Sequence, residues 1–176
     1  MACALTIGRK VPCKSAFGGI KSVYLADFGT IASITIDAST KEATIVDAST
    51  APVWFEFDVK GNSSLETTVT SSRENGTTFY TQTISLTLTY LDALTQAELQ
   101  LIAAARPYAV VVDYYGNSFL CGVENGMEVT GGTVVTGAAA GDLSGFTLTF
   151  EGMEETAPHF LAAAVTGSAL QINPTA

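Results

Sequence analysis

His159 is the only histidine in the 176-residue chain, and it stands beside Pro158 with no serine or cysteine motif at usable spacing. Acid–base or nucleophilic chemistry needs a base within hydrogen-bond reach of its partner, so this lone imidazole reads as structural. The three cysteines, Cys3, Cys13 and Cys121, show no Cys-x-x-Cys spacing, and tetrahedral zinc sites are built on such pairs. They read as thiols of a protein made in a reducing compartment. Asp37, Asp47 and Asp58 lack the alternating ligands and fixed glycine of a calcium loop. Glu154 and Glu155 are adjacent, so in a strand they would face opposite ways, and a loop is the simpler reading. Asp113 lies in an apolar run and is expected to hold hydrogen bonds at a strand end. No phosphate loop, dinucleotide fingerprint, Gly-x-Ser-x-Gly or His-Glu-x-x-His occurs. The expectation is a non-enzyme with no cofactor, no metal and no catalytic residue.

The elements that would carry any function are strands. From Tyr80 to Tyr90 the sequence alternates: Tyr80, Ile84, Leu86, Leu88 and Tyr90 on one side, Thr81, Thr83, Ser85, Thr87 and Thr89 on the other. Period two marks a strand with one apolar and one polar face, here about 35 Å long at ~3.3 Å per residue. A one-residue slip would bury five hydroxyls. Leu65–Ser71 pairs with it as a long hairpin, turned at Asn75-Gly76. On the first arm, Glu66 shares the face of Thr68 and Thr70. The connection through Arg73, Glu74, Asn75, Gly76 and Thr77 is polar and expected to project.

Further strands are expected over Ser22–Phe28, Ile31–Ile36, Ala43–Val46, Val53–Val59, Tyr108–Tyr114, Ser118–Glu124, Met127–Thr130 and Phe146–Phe150. Tyr108–Tyr114 is apolar enough to be central. Trp54 and Phe55 alternate, so one of them belongs to the core. Gly131–Gly141 reads as a loop or a place of close backbone packing. One helix is expected, with a capping box at Thr95-Gln96-Ala97-Glu98, Leu94 and Leu99 as staple, and Leu99, Ile102 and Ala103 as its buried stripe. Pro107 ends it. The fold class is mainly β: a β-sandwich or partly closed barrel with a long hairpin and one flanking α-helix. Residues 1–157 form one domain with an N-terminal arm over 1–19. Residues 158–176 form an apolar C-terminal extension expected, like the arm, to meet neighbouring subunits.

Composition narrows function by exclusion. Hydrophobic residues make up 47% and charged residues 14%, and the mean hydropathy of +0.32 leaves room for apolar surface reserved for other subunits. No apolar run reaches the ~20 residues of a membrane span, and no export signal is seen at Met1. The net charge is −9; residues 1–60 are balanced, so the excess acid falls in 61–176. Such a chain lacks the Lys/Arg needed to hold phosphates, yet suits a wall that DNA passes without sticking.

Three stretches carry a resemblance: MACALTIGRKVPCKSAFGGIKSVYL, SSLETTVTSSRENGTTFYTQTISLTL and VVVDYYGNSFLCGVENGMEVTGGTVVTGAAAGDLSGFTLTFEG. Together they resemble a family of tailed-bacteriophage virion structural proteins over most of residues 1–152, most like tail tube proteins. The resemblance implies a subunit of homo-oligomeric rings, most often hexamers. These stack into a tube, are assembled in the host bacterial cytoplasm and are carried in the virion tail, where they work with other tail proteins. DNA passes through during ejection, without specific binding and with no membrane partner. Long strands of all subunits would line the bore, with Glu66, Thr68, Thr70, Thr81, Thr83, Ser85, Thr87 and Thr89 facing it. The stacking loop would be either Ser71–Thr78, with Arg73, Glu74, Asn75, Gly76 and Thr77, or Gly131–Gly141. Alternatives are a head decoration or connector subunit, and a carbohydrate-binding β-sandwich.

Overall fold

In a computed structural model, which describes residues 8–9, 14, 17–59 and 62–167, eleven strands and one helix pack in three layers. The first layer is a four-stranded antiparallel sheet of β5 (Ser64–Ser72), β6 (Thr77–Thr89), β10 (Gly145–Glu154) and β9 (Glu128–Val135), in the order β5-β6-β10-β9. The second is a five-stranded sheet of β1 (Ile20–Ala26), β4 (Phe55–Asp58), β7 (Tyr108–Asp113), β8 (Ser118–Cys121) and β11 (His159–Phe160), ordered β11-β8-β7-β1-β4. The third is the hairpin of β2 (Ile31–Ile36) and β3 (Ala43–Asp47) together with the chain around Leu161 and Val165. The fold class is therefore as expected, in its sandwich form: the sheets do not close into a barrel.

The middle sheet feeds two cores by alternation. Val23, Leu25, Ala109, Val111 and Cys121 point toward the four-stranded sheet, where they meet Ile84, Leu86, Leu88, Phe146 and Phe150. Ala26, Tyr108, Val110 and Leu120 point the other way, onto Ile31 and Trp54. A strand covered on both faces reads as a continuous apolar run, which is why YAVVVD is central in its sheet. Trp54 is the core member of its pair, and Phe55 is exposed.

Several boundaries depart from the sequence reading. β6 starts at Thr77, so the turn is only Arg73–Gly76, with Gly76 at φ 65°. It ends at Thr89 because Tyr90 takes φ 71°, a left-handed conformation that breaks the pleat. At ~3.3 Å per residue β6 is about 40 Å long.

The helix, α1 (Ala93–Ala104), begins earlier than the expected capping box. Its N-cap is Asp92, whose Oδ2 accepts from the Leu94 and Thr95 backbone N–H groups at 3.0 and 3.1 Å. A carboxylate also complements the positive end of the helix dipole, an advantage the Thr95 hydroxyl lacks. Thr95 is instead buried at the third helical position, while Leu94, expected in the staple, and Ala103, expected in the stripe, are both exposed. Leu99 is buried in the inter-sheet core, with Ile102 packed beside it.

In the region 131–135 one of the two expected outcomes holds, and the C-terminal segment has contacts within its own copy. Residues 131–135 belong to β9, where a Cβ on Gly132 would lie 2.7 Å from the Thr147 carbonyl oxygen; close backbone packing, not a loop, is the outcome there. The segment after Pro158 docks on its own chain: β11 pairs with β8, Leu161 bridges to Ala43, and Leu161 and Val165 pack on the second core. Removing 158–176 would thus strip part of the fold as well as any surface. Residues 168–176, and Cys3 and Cys13 of the arm, lie outside the described residues. Of the arm, Phe17 stands edge-on to Tyr114 at 5.3 Å between ring centroids.

Candidate functional site: the hydroxyl face of the four-stranded sheet

β6 places Gln82, Ile84, Leu86 and Leu88 in the core and turns Thr81, Thr83, Ser85, Thr87 and Thr89 outward. The first four of these outward residues are half-buried and Thr89 is exposed. Register extends this face across the sheet. Ser64, Glu66 and Thr68 of β5 lie opposite Ser85, Thr83 and Thr81, and Thr70 lies opposite Phe79. Thr147 and Thr149 of β10 lie opposite Thr87 and Ser85, and Thr133 of β9 lies opposite Thr147. All eight residues expected on one surface are brought together there. Hydroxyls bond across the strands of this face, Thr133 with Thr147 at 2.6 Å; a second pair, Ser71 with Thr78 at 2.9 Å, lies on the other face near the hairpin turn.

One row on this face has no sign in the sequence. Glu66 pairs with Thr83, Thr83 with Glu151, and Glu151 with Glu128. Three carboxylates therefore lie in a single line across the sheet, two of them directly opposite one another, an arrangement that opposes folding. Spacing along the chain does not disclose it, because Glu66, Glu128 and Glu151 sit on three different strands. The four strands together contain no lysine or arginine, so no cation of the sheet offsets the row.

The two turns named for stacking lie at opposite ends of this sheet. Arg73, Glu74, Asn75 and Gly76 close the hairpin at the Thr77 end of β6, with Thr77 already in the strand. The chain after β9 returns into β10 where Gly145 faces Thr89, at the other end. There Asp142 accepts from the Ala138 and Ala139 backbone N–H groups at 3.0 and 2.8 Å, and these bonds hold its carboxyl below the usual carboxylate range.

Behind the hydroxyl face, a buried polar knot ties the two sheets. The side chain of Gln82 accepts from the Gly122 N–H at 3.1 Å and donates to the Thr156 carbonyl at 3.1 Å. Glu154, which reads as loop in the sequence, is the last residue of β10 and 2% exposed. Its two oxygens accept from the Glu124 and Asn125 N–H groups, both at 2.9 Å. Burial pushes its pKa up, against the pull of those two bonds. With the folded value above the unfolded one, ionisation of Glu154 opposes folding: its favourable contribution is full below the unfolded value and lost as pH rises through the folded one. The Glu154→Gln variant keeps one acceptor without the charge. Urea melts from about pH 7 to about pH 4.5 are expected to show wild type gaining on this variant as pH falls; a constant difference would contradict the assignment.

Other groups with chemical potential are quiet. The Cys121 thiol is fully buried, and burial, with Glu154 nearby, pushes its pKa far up, which suppresses the reactive thiolate. Burial lowers the pKa of His159, opposed by Glu124, and its Nε2 lies 3.2 Å from the Thr156 hydroxyl. Asp113 takes the strand-end role expected of it, accepting from the Asn117 backbone and side-chain N–H groups at 2.8 Å each. Among the described residues no group of three or more His, Cys, Asp or Glu converges as a metal site, and no helix is long and apolar enough to cross a membrane.

Comparison of the chain with family models, with curated proteins and with solved structures finds no match.

Proposed function

We propose that the chain is a non-enzymatic structural subunit that closes into rings around a DNA path, the part played by a phage tail tube subunit. The observation that carries this reading is the four-stranded sheet. Its outer strands, β5 and β9, are nine and eight residues long, and among the described residues nothing pairs with their free edges. Long open edges are a liability that proteins blunt with lysine, proline or cover. Neither strand has a lysine or proline, and each carries a single carboxylate, Glu66 or Glu128; β5 is regular throughout, while β9 has a bulge near Thr130 and α1 packed beside it.

The strand directions supply the rest. The four strands alternate strictly, so β5 and β9 run opposite ways. When β9 of one copy meets β5 of the next, the new pair is antiparallel as well. A head-to-tail ring of any number of copies then closes with every strand antiparallel to its neighbours and no edge left, a heterologous assembly that ends itself. With the apolar face of the sheet turned into each sandwich, the hydroxyl face lines the bore. The Glu66–Thr83–Glu151–Glu128 row becomes a continuous acidic belt that repels phosphates, and the turns at the two ends of the sheet become the meeting points of stacked rings.

Sedimentation of the purified protein over a concentration series, followed by negative-stain microscopy, tests the proposal. Rings with a central pore, stacking into tubes at high concentration, are expected. A monomer at every concentration would contradict it.

A further inference from the structure

Two apolar surfaces lie at opposite margins of the sandwich. At the β5 margin the described residues leave a groove of about 550 Å³ between the sheets, lined by Ile20, Leu65, Val111, Phe119 and Pro158. At the β9 margin the gap between the sheets is closed by α1, which packs against β9 and inserts Leu99 and Ile102 into the core. The outer side of α1 carries two exposed leucines: Leu94 and Leu101 stand two turns apart on one face, 60% and 66% exposed, with the exposed Glu98 between them. Val134 of β9, at the same margin, is exposed as well.

We infer that the outer face of α1 in one copy seats in the inter-sheet groove of the next. The inference rests on the ring reading, because pairing β9 with the neighbour's β5 brings the helix margin of one copy against the groove margin of the other. It adds a second, side-chain interface to the backbone one. A ridge on one side and a slot on the other make a head-to-tail contact whose occupant is a second copy of this chain. A small charged ligand fits the groove poorly: its one carboxylate, Asp113, already has both oxygens bonded to Asn117, so no unpaired charge is left there to anchor one.

The test combines Leu94→Asp with Leu101→Asp, at positions exposed enough to leave the monomer's melting temperature nearly unchanged, and a cross-link. Association of the double variant should weaken by at least about 100-fold, as expected when two anchor side chains at the centre of an interface are lost. In a background of Cys3→Ser and Cys13→Ser, mixing Leu101→Cys protein with Thr67→Cys protein should give disulfide-linked pairs that neither gives alone. Rings that persist in the double variant, with no mixed cross-link, would overturn the inference and leave the ring reading standing. So would Thr67→Cys, placed in the otherwise native chain, cross-linking to Cys3 or Cys13 of its own copy, since the N-terminal residues would then hold the groove. A wild type that forms no ring would overturn both.

Discussion

Replacing Gln82 with Ala is expected to lower the free energy of unfolding by about 2–4 kcal/mol, the sum of an unpaired buried N–H and a small cavity. Gln82 is 1% exposed on the core face of β6, where the other buried residues, Ile84, Leu86 and Leu88, are all apolar. Its amide spans from β6 to Gly122 after β8 and to Thr156 after β10. Gly122 is buried, so its N–H finds no water when the partner leaves. For a chain of this size the loss corresponds to a fall of roughly 10 °C in melting temperature. Gln82→Met separates the two causes. It restores volume but not the bonds, so it should recover only part of the loss in urea melts. A Met variant as stable as wild type would show that the amide fills space and nothing more.

The second large effect concerns the row of carboxylates. Converting Glu66, Glu128 and Glu151 together to Lys reverses three charges in each copy and is expected to turn a wall that ignores DNA into one that binds it. Binding through phosphates releases counterions, so the affinity should fall with log salt at a slope near −0.9 per neutralised phosphate, roughly. For a ring with several copies, that means losses of about 10³ or more between roughly 50 and 200 mM salt. Wild type should show no binding in the same titration by fluorescence anisotropy. Wild-type binding of comparable strength would defeat the electrostatic part of the account, while the strand pairing would be untouched.

Much of this architecture is legible in the residues because alternation is a local signal. The two faces of β6, the central place of β7 and the hairpins β2–β3, β5–β6 and β7–β8 all follow from period two and turn residues. What stays hidden depends on register or on competition between distant groups. The Glu66–Glu151–Glu128 row needs three pairings at once. The burial of Glu154 depends on two backbone N–H groups, 30 and 29 residues upstream, and a carboxylate beside Glu155 gives no hint of them. The Thr-x-x-Glu pattern is a sound cap in isolation, yet it points to the wrong helix start, because Asp92 lies one turn earlier and accepts two backbone bonds. The C-terminal docking leaves no local mark either: Leu161 and Val165 have no period of their own and fill gaps over a sheet formed by other segments. The residues expected on the hydroxyl face, by contrast, all share it, because alternation alone assigns each.

Amide hydrogen exchange, followed from dilute to concentrated protein, reads the two free sheet edges separately. Among the described residues the outward-pointing amides of β5 and β9 have no partner strand, whereas those of β6 and β10 are bonded on both sides. Exchange within Ser64–Ser72 and Glu128–Val135 is expected to slow together, and at the same concentration, as the protein assembles, while the free edge of β4 stays fast. Assembly that leaves both edges exchanging at their dilute rates, or that protects one without the other, would contradict a ring closed by pairing β5 with β9.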